Sequence, residues 1–454
     1  MPMNILQYLA GWSRKSKNVS PAARQGAAEA IRDTLACMIA GAGDPVVAMV
    51  RQAYRTSLSA GVSTAIGGGT GSPGVAALIN ATAAHALDYD DTFRPLMGHA
   101  SAVLVPALLA TAQAADADGR RLLESYLVGL QAQAVIGAAV NPGHYAAGWH
   151  ATSTVGAIGA AAGTAWLLGL NEEGILQAMC LAVSMAAGVK GQFGTAAKPL
   201  HAGLAARNAV EAAALAAAGM GGNPDIMDHP FGFAALYGAA GRPWAAATTA
   251  GDERHVIETL GLTPKRHPCC ASTHNAIDML LDLKAAHGFA AEDVVLLDCL
   301  VGSINQNNLP YAEPIDAMQA RFSMPYCLAV ALTNNRLRLA DFDRERIFDP
   351  ALRRLLPLTK MHAASPAEED SSGYVTHRLS VHLRDGRTLH AARAMAKGGL
   401  ADPFSAGDRR EKFFDCCNGR LDQQRADELY AQLQRLDSQS HLNFIAAALG
   451  RLGN

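Results

Sequence analysis

Three short segments gather the acids, histidines and lysines of a chain in which only 17% of residues are charged. The first is His85-Ala-Leu-Asp88-Tyr-Asp90-Asp91-Thr92, followed by Gly98-His99-Ala100-Ser101. Asp88 and Thr92 are four apart, so they share a face if the helix leading into them persists. A solvated helix end would explain such acids. The stretch 75–87 before them is apolar enough to be buried, however, and acids at the end of a buried helix tend to face a cleft. The second segment is Gly143-His144-Tyr145-Ala-Ala-Gly148-Trp149-His150-Ala-Thr152-Ser153-Thr154. Its small residues let a loop approach a ligand, and Thr152 or Ser153 could cap the helix that follows. His150 beside that N-terminus suits a carboxylate. Either His could equally be an ordinary core or surface residue. The third is Gly191-Gln-Phe193-Gly194-Thr-Ala-Ala-Lys198-Pro-Leu-His201. A lysine among Gly, Ala and Pro is either a snorkelling surface residue or a functional one. Together the segments supply Asp, His, Lys and Tyr. That set fits acid–base chemistry on a substrate with several carboxylates: cations and neutral His hold the carboxylates while a proton moves at the carbon beside one.

Other patterns lack the context their chemistry needs. Gly69-Thr-Gly71-Ser-Pro-Gly74 matches a dinucleotide fingerprint. That motif requires a preceding strand, a following helix and a second strand ending in an acid. No second strand follows, so a flexible loop is the better reading. His267-Pro-Cys269-Cys270-Ala-Ser-Thr-His274 has the residue types of a metal site. Adjacent cysteines are poor joint ligands for a tetrahedral ion, and the chain contains no Cys-x-x-Cys. We therefore expect neither metal nor cofactor. No Gly-x-Ser-x-Gly elbow of a serine hydrolase occurs.

The elements that must position these residues are mostly helical. Half of the 454 residues are hydrophobic, 43 are Gly, and roughly a fifth are Ala, far above usual usage. Gly and Ala at this density suit helices whose backbones cross closely. Helical patterns run over 21–42, 46–56, 75–88, 102–114, 122–140, 152–168, 172–188, 204–220 and 232–238, with Gly, Pro and Asn in the gaps. After residue 262 the pattern changes. Strands are expected over 294–301, 374–383 and 388–394, the last two joined by an Asp385-Gly386 turn, with helices over 323–333 and 341–346. Helix returns over 408–418, 423–436 and 441–452. The expected division is an all-helical domain of 1–265 plus 404–454 and a smaller α+β lid domain of 266–403. The net charge of −2 and the lack of a basic run argue against nucleic acid as a partner. Residues 151–170 carry no charge, yet they are mostly Ala, Gly, Ser and Thr and read as a buried helix, not a membrane span. With no signal-peptide pattern at the start, the eight cysteines read as reduced thiols of a cytoplasmic protein.

At these segments the chain resembles the MmgE/PrpD family, which includes 2-methylcitrate dehydratase, cis-aconitate decarboxylase and iminodisuccinate epimerase. The likeness runs from Asn80-Ala-Thr-Ala-Ala-His85-Ala-Leu-Asp88-Tyr-Asp-Asp-Thr92 through Lys198-Pro-Leu-His201 to Ala320-Arg-Phe-Ser323 and Lys397-Gly-Gly-Leu-Ala-Asp-Pro403. It implies a mainly helical protein with a lid, a homodimer, and cofactor-independent chemistry on a small di- or tricarboxylate. It also implies site roles for Asp88, Thr92, His99, His150 and Lys198, a lid Tyr at Tyr311, and a lid His at His274, with His267 as rival. Two departures are Ala100 after His99 and Ala151 after His150. The loops 96–99 and 143–150 look most like the epimerase branch, where Tyr145 beside Lys198 would supply a second base. Elimination or decarboxylation by a lyase is the leading expectation. Epimerisation and non-catalytic dicarboxylate binding are the alternatives.

Overall fold

The computed structural model describes residues 4–15, 19–238, 254–369 and 375–452. Two hydrophobic cores organise them. The first runs from Ile5 to Ile257 and also takes up Phe413, Cys416, Leu429, Tyr430, Ile445 and Leu449 from the C-terminal helices. The second is built from residues between Cys269 and Leu383.

The first core is helical. Pro73–Ala86, Ala100–Ala114 and Thr154–Leu167 lie at its centre, buried on nearly every face, and Ala197–Ala217 packs against all three while Glu211, Ala214 and Ala217 stay exposed. Small side chains make this possible. A Cβ on Gly203 would come within 2.3 Å of Thr82 Oγ1 and 2.6 Å of the Leu78 carbonyl, so Gly is what lets Ala197–Ala217 cross Pro73–Ala86 at backbone contact. Thr154–Leu167 covers most of the uncharged stretch and is buried. Gly119–Val140 is long and apolar enough to cross a bilayer, but most of it is buried inside the protein. The C-terminal helix Ala406–Cys417 packs on Pro21–Gly41. From it Lys412 reaches Asp33 and the Tyr89 carbonyl, each at 2.8 Å, and so tethers the acidic loop 88–92.

The second core holds a four-stranded mixed sheet in the order Thr359–Ala363, Val294–Val301, His377–Leu383, Thr388–Arg393. Val294–Val301 runs parallel to the first and antiparallel to the third. The expected strand over 374–383 begins at His377; Tyr374 lies outside the described residues. The hairpin turn holds Gly386 at φ 91°. The Gly-rich loop after Ser63–Thr64 folds back on Thr70–Gly71 as a two-stranded antiparallel hairpin; among the described residues its parallel pairing is a single bridge between Ser59 and Thr70, not the parallel strand that a dinucleotide site needs.

Candidate active site

The helix Pro73–Ala86 stops short of the acids. Asp88 has φ 52°, a left-handed turn that swings its carboxylate out of the helical path. The shared helix face expected for Asp88 and Thr92 therefore does not form. Thr92 instead exchanges backbone hydrogen bonds with Thr263, both at 2.9 Å, which pins the loop to the chain entering the second core. The acids are not a solvated helix end: Asp88, Asp90 and Asp91 are 3%, 0% and 1% exposed.

Asp88 is the electrostatic centre. Lys198, 3% exposed, pairs with its Oδ1, and Lys265 Nζ lies 2.7 Å from Oδ2 and 2.6 Å from the Asp88 carbonyl. Burial alone would raise the Asp88 pKa. The Lys198 and Lys265 ammonium groups more than reverse that and hold it well below the usual carboxylate range. Two cations share the one carboxylate of Asp88 in a dry setting, and the ionised Asp90 close by offsets the second charge. His99 Nε2 stands 3.8 Å from Asp88 Oδ1, and its Nδ1 lies 3.0 Å from Asp90 Oδ2 but poorly aligned for a hydrogen bond. The His99 amide donates to Thr152 Oγ1 at 3.0 Å, so Thr152 holds the His99 loop and does not cap a helix. Ser153, at the cap position, donates to the His201 carbonyl instead.

Asp90 accepts from His85 Nδ1 at 2.9 Å. The His85 ring meets His99 edge-on at 4.4 Å and stacks on His150 at 5.8 Å. His150 Nδ1 lies 3.1 Å from His201 Nδ1, while the Nε2 atoms of both His85 and His150 are buried without a hydrogen-bond partner among the described residues. Burial lowers the pKa of His85 to about 3 and that of His150 well below the ordinary value; it also lowers His99. All three rings are therefore neutral near pH 7. Asp91 turns the other way, accepting from the Ser101 amide at 3.3 Å and from its hydroxyl, which also meets the Tyr126 hydroxyl at 2.7 Å. Burial, only partly offset by Ser101, raises the Asp91 pKa to about 7.

The histidines give a pH prediction. Each is neutral in the folded chain but protonated in the unfolded chain below about pH 6.5, so on their account the unfolded state binds more protons and stability falls with falling pH; Asp91, raised to about 7, works in the opposite sense and offsets about one of them. Each such group contributes up to about 1.4 kcal/mol per pH unit. The free energy of unfolding in urea should drop steeply from pH 7 to pH 5. A flat profile over that range would mean these rings are already solvated or charged.

The second core meets this cluster at several points. Phe322 and Phe193 flank the Lys198 ammonium at 5.0 and 5.5 Å. A Cβ on Gly194 would lie 2.3 Å from the Tyr311 hydroxyl, and Gly194 has φ 80°, so the loop before Lys198 can pass under Tyr311 only with Gly there. His274 is buried, with Nε2 3.3 Å from the Cys269 carbonyl and its ring against His267 at 5.0 Å. His267 is committed to Asp278 at 3.1 Å, which leaves His274 the freer of the two rivals. Tyr145 donates to Asn308 Oδ1 at 3.2 Å, and the lysine against its ring is Lys190, at 3.7 Å, in place of the expected Lys198. The structure thus joins Asp88, His99 and Lys198 directly and brings His150 in through His85, while Tyr145, Tyr311 and His274 make their contacts elsewhere, with Asn308 and Lys190, with Gly194, and with Cys269 and His267. Lys265 escaped the sequence reading. Its only signal is its place two residues before His267.

His85, Asp88, Asp90 and His99 offer four donor atoms within 4.8 Å of one another. As the side chains stand, both Asp88 oxygens are engaged by ammonium groups, and a dication at that point would face Lys198 and Lys265. We expect dialysis against a chelator to leave turnover and melting temperature unchanged. Loss of both, restored by one divalent ion, would assign the quartet to a metal.

The whole chain places this arrangement in a class: it belongs to the MmgE/PrpD family. The family's N-terminal domain matches residues 6–243 and its C-terminal domain residues 267–437. Among curated relatives it is similar to cis-aconitate decarboxylase of Homo sapiens, 28% identical over 84% of this chain and 81% of that protein. It is also similar to cis-aconitate decarboxylase of Mus musculus, 26% identical over 90% and 85%, and to that of Aspergillus terreus, 24% identical over 79% and 78%.

Proposed function

We propose that the protein is a cofactor-independent lyase acting on a small di- or tricarboxylate, with decarboxylation of cis-aconitate or a close analogue as the leading reaction. The similarity to cis-aconitate decarboxylases supports the reaction type. The observation that carries the reading is the buried triad in which Lys198 and Lys265 share the single carboxylate of Asp88. Its two ammonium groups suit an anionic substrate. The rings of His99 and His150 are neutral at rest, and the nearby Lys198 charge disfavours their protonated form, so a proton taken up by either ring is readily passed on to the substrate carbon.

In decarboxylation the bond between a carboxyl group and its carbon breaks. The electron pair stays on the substrate, spread toward a remaining carboxylate, and a proton adds to carbon. The ammonium groups stabilise the charge that develops, and the protein supplies the proton. No electron carrier or Lewis acid is required by these steps. We read the second core as the lid over this cluster and the working form as a homodimer. The epimerase alternative wanted Tyr145 opposite Lys198, and the contact of Tyr145 with Lys190 gives it no support.

The test is turnover by NMR with cis-aconitate, 2-methylcitrate and iminodisuccinate offered separately. Consumption of cis-aconitate with release of one carbon dioxide is expected. Inversion of iminodisuccinate alone would establish the epimerase, and tight binding with no turnover of any of the three would establish a binding protein.

A further inference from the structure

Arg321 sits in the Ala320-Arg-Phe-Ser323 segment, just past the short helix Ala317–Ala320. Its carbonyl accepts from the Cys270 amide at 2.9 Å, which fixes the backbone whatever the side chain does. The side chain is the anomaly. The residue is only 5% exposed, its Nε is buried without a partner, and among the described residues its guanidinium has no hydrogen bond and no ion pair. Its one contact of note is the face of Phe342, at 5.4 Å. Burial lowers its pKa, and the acids that offset this, Asp44 first and Asp88 next, act without forming an ion pair. The neighbouring Phe322 ring packs against the Lys198 ammonium. A guanidinium has five donors in a fork that matches a carboxylate. Keeping it nearly buried and unpaired opposes folding, so its presence points to an anion that completes it.

We propose that Arg321 binds a second carboxylate of the substrate, remote from the one held at Lys198, and so selects tricarboxylates over dicarboxylates. This rests on the carboxylate-lyase reading above. It adds that recognition is divided between a cation on each core: Lys198 and its partner Lys265 from the helical side, Arg321 from the other.

The experiment is calorimetric titration of the full chain with tricarballylate and with glutarate, an unreactive tricarboxylate and dicarboxylate. The wild type, Arg321→Met and Arg321→Lys are compared, with melting temperatures recorded without ligand. We expect Arg321→Met to bind tricarballylate about 10- to 100-fold more weakly, while glutarate changes by no more than about twofold to threefold. Arg321→Lys should fall between, because it keeps the charge and loses the fork. Removing an unpaired buried charge should also raise the melting temperature of the ligand-free protein. A purely structural arginine would lower it. Equal weakening of both ligands, unchanged tricarballylate affinity, or a lower melting temperature in Arg321→Met would overturn the proposal while leaving the lyase reading standing. Should Arg321→Met fail to fold, that failure counts as the structural outcome, and an Arg321→Lys titration identical to wild type confirms it. A wild type that binds neither acid would overturn both readings.

Discussion

Lys198→Met is expected to lower kcat by about 10²–10⁴-fold and to raise KM by about one to two orders of magnitude. The substitution keeps most of the side chain's length and removes the charge. Lys198 is buried between Phe193 and Phe322 with its ammonium on Asp88, so solvent cannot replace it. A charge-assisted bond to a substrate carboxylate there is worth roughly 1.5–3 kcal/mol, which sets the KM range. The loss in kcat adds whatever the ammonium contributes as the charge develops. A change in KM alone would make Lys198 an anchor only. Wild-type constants would remove it from the site. Exposed Lys360→Met serves as the control, with constants expected unchanged. Stability should suffer little, because Asp88 keeps Lys265.

The reverse holds for Asp88→Asn. It leaves two buried ammonium groups without their anion, and breaking a buried pair from one side costs about 3–5 kcal/mol. Activity should vanish together with much of the stability. The pH dependence follows from the sign of the shift. The folded pKa of Asp88 is depressed below the unfolded value, so its contribution is complete above the unfolded pKa and is lost as pH falls through the folded one. The gap in unfolding free energy between wild type and Asp88→Asn should therefore be full at pH 7 and begin to close below about pH 4. A variant as stable as wild type at pH 7 would show that the ion pairs contribute nothing net, and that the triad serves chemistry alone.

Much of this arrangement was legible because helices and strands announce themselves by period. The helix Pro21–Gly41 and the strand Val294–Val301 fall within a residue of their expected ends. Ala197–Ala217 was expected to start at 204, since Gly, Pro and two polar residues near its N-terminus mask the first two turns. Ala271–His287 left no amphipathic stripe at all. Residues 272–280 are buried on every side of the helix, among them Ser272, Thr273, His274, Asn275 and Asp278, polar residues that read as surface until their partners are known. Thr359–Ala363 is an edge strand of mixed polarity, and it was missed for the same reason. At the site, the residue types could be read and their pairing could not. Asp88 was legible as an acid after a buried helix, but the left-handed turn that sends it to Lys198 and Lys265 lies in the backbone. Lys265 had no local signature because its meaning comes from a residue 177 positions away. The contact of Tyr145 with Lys190 has no signal in the sequence, since it arises where loop 143–149 packs on the turn at Lys190.

The central claim is that the cluster around Asp88 and Lys198 places a proton on a small polycarboxylate as a carboxyl group leaves. The most direct measurement is NMR of cis-aconitate incubated in heavy water with wild-type protein and, in parallel, with Lys198→Met. The account predicts a five-carbon dicarboxylate carrying one deuterium on carbon from the wild type and at most a trace from the variant. Undiminished product from Lys198→Met, or product from the wild type without deuterium on carbon, would contradict it.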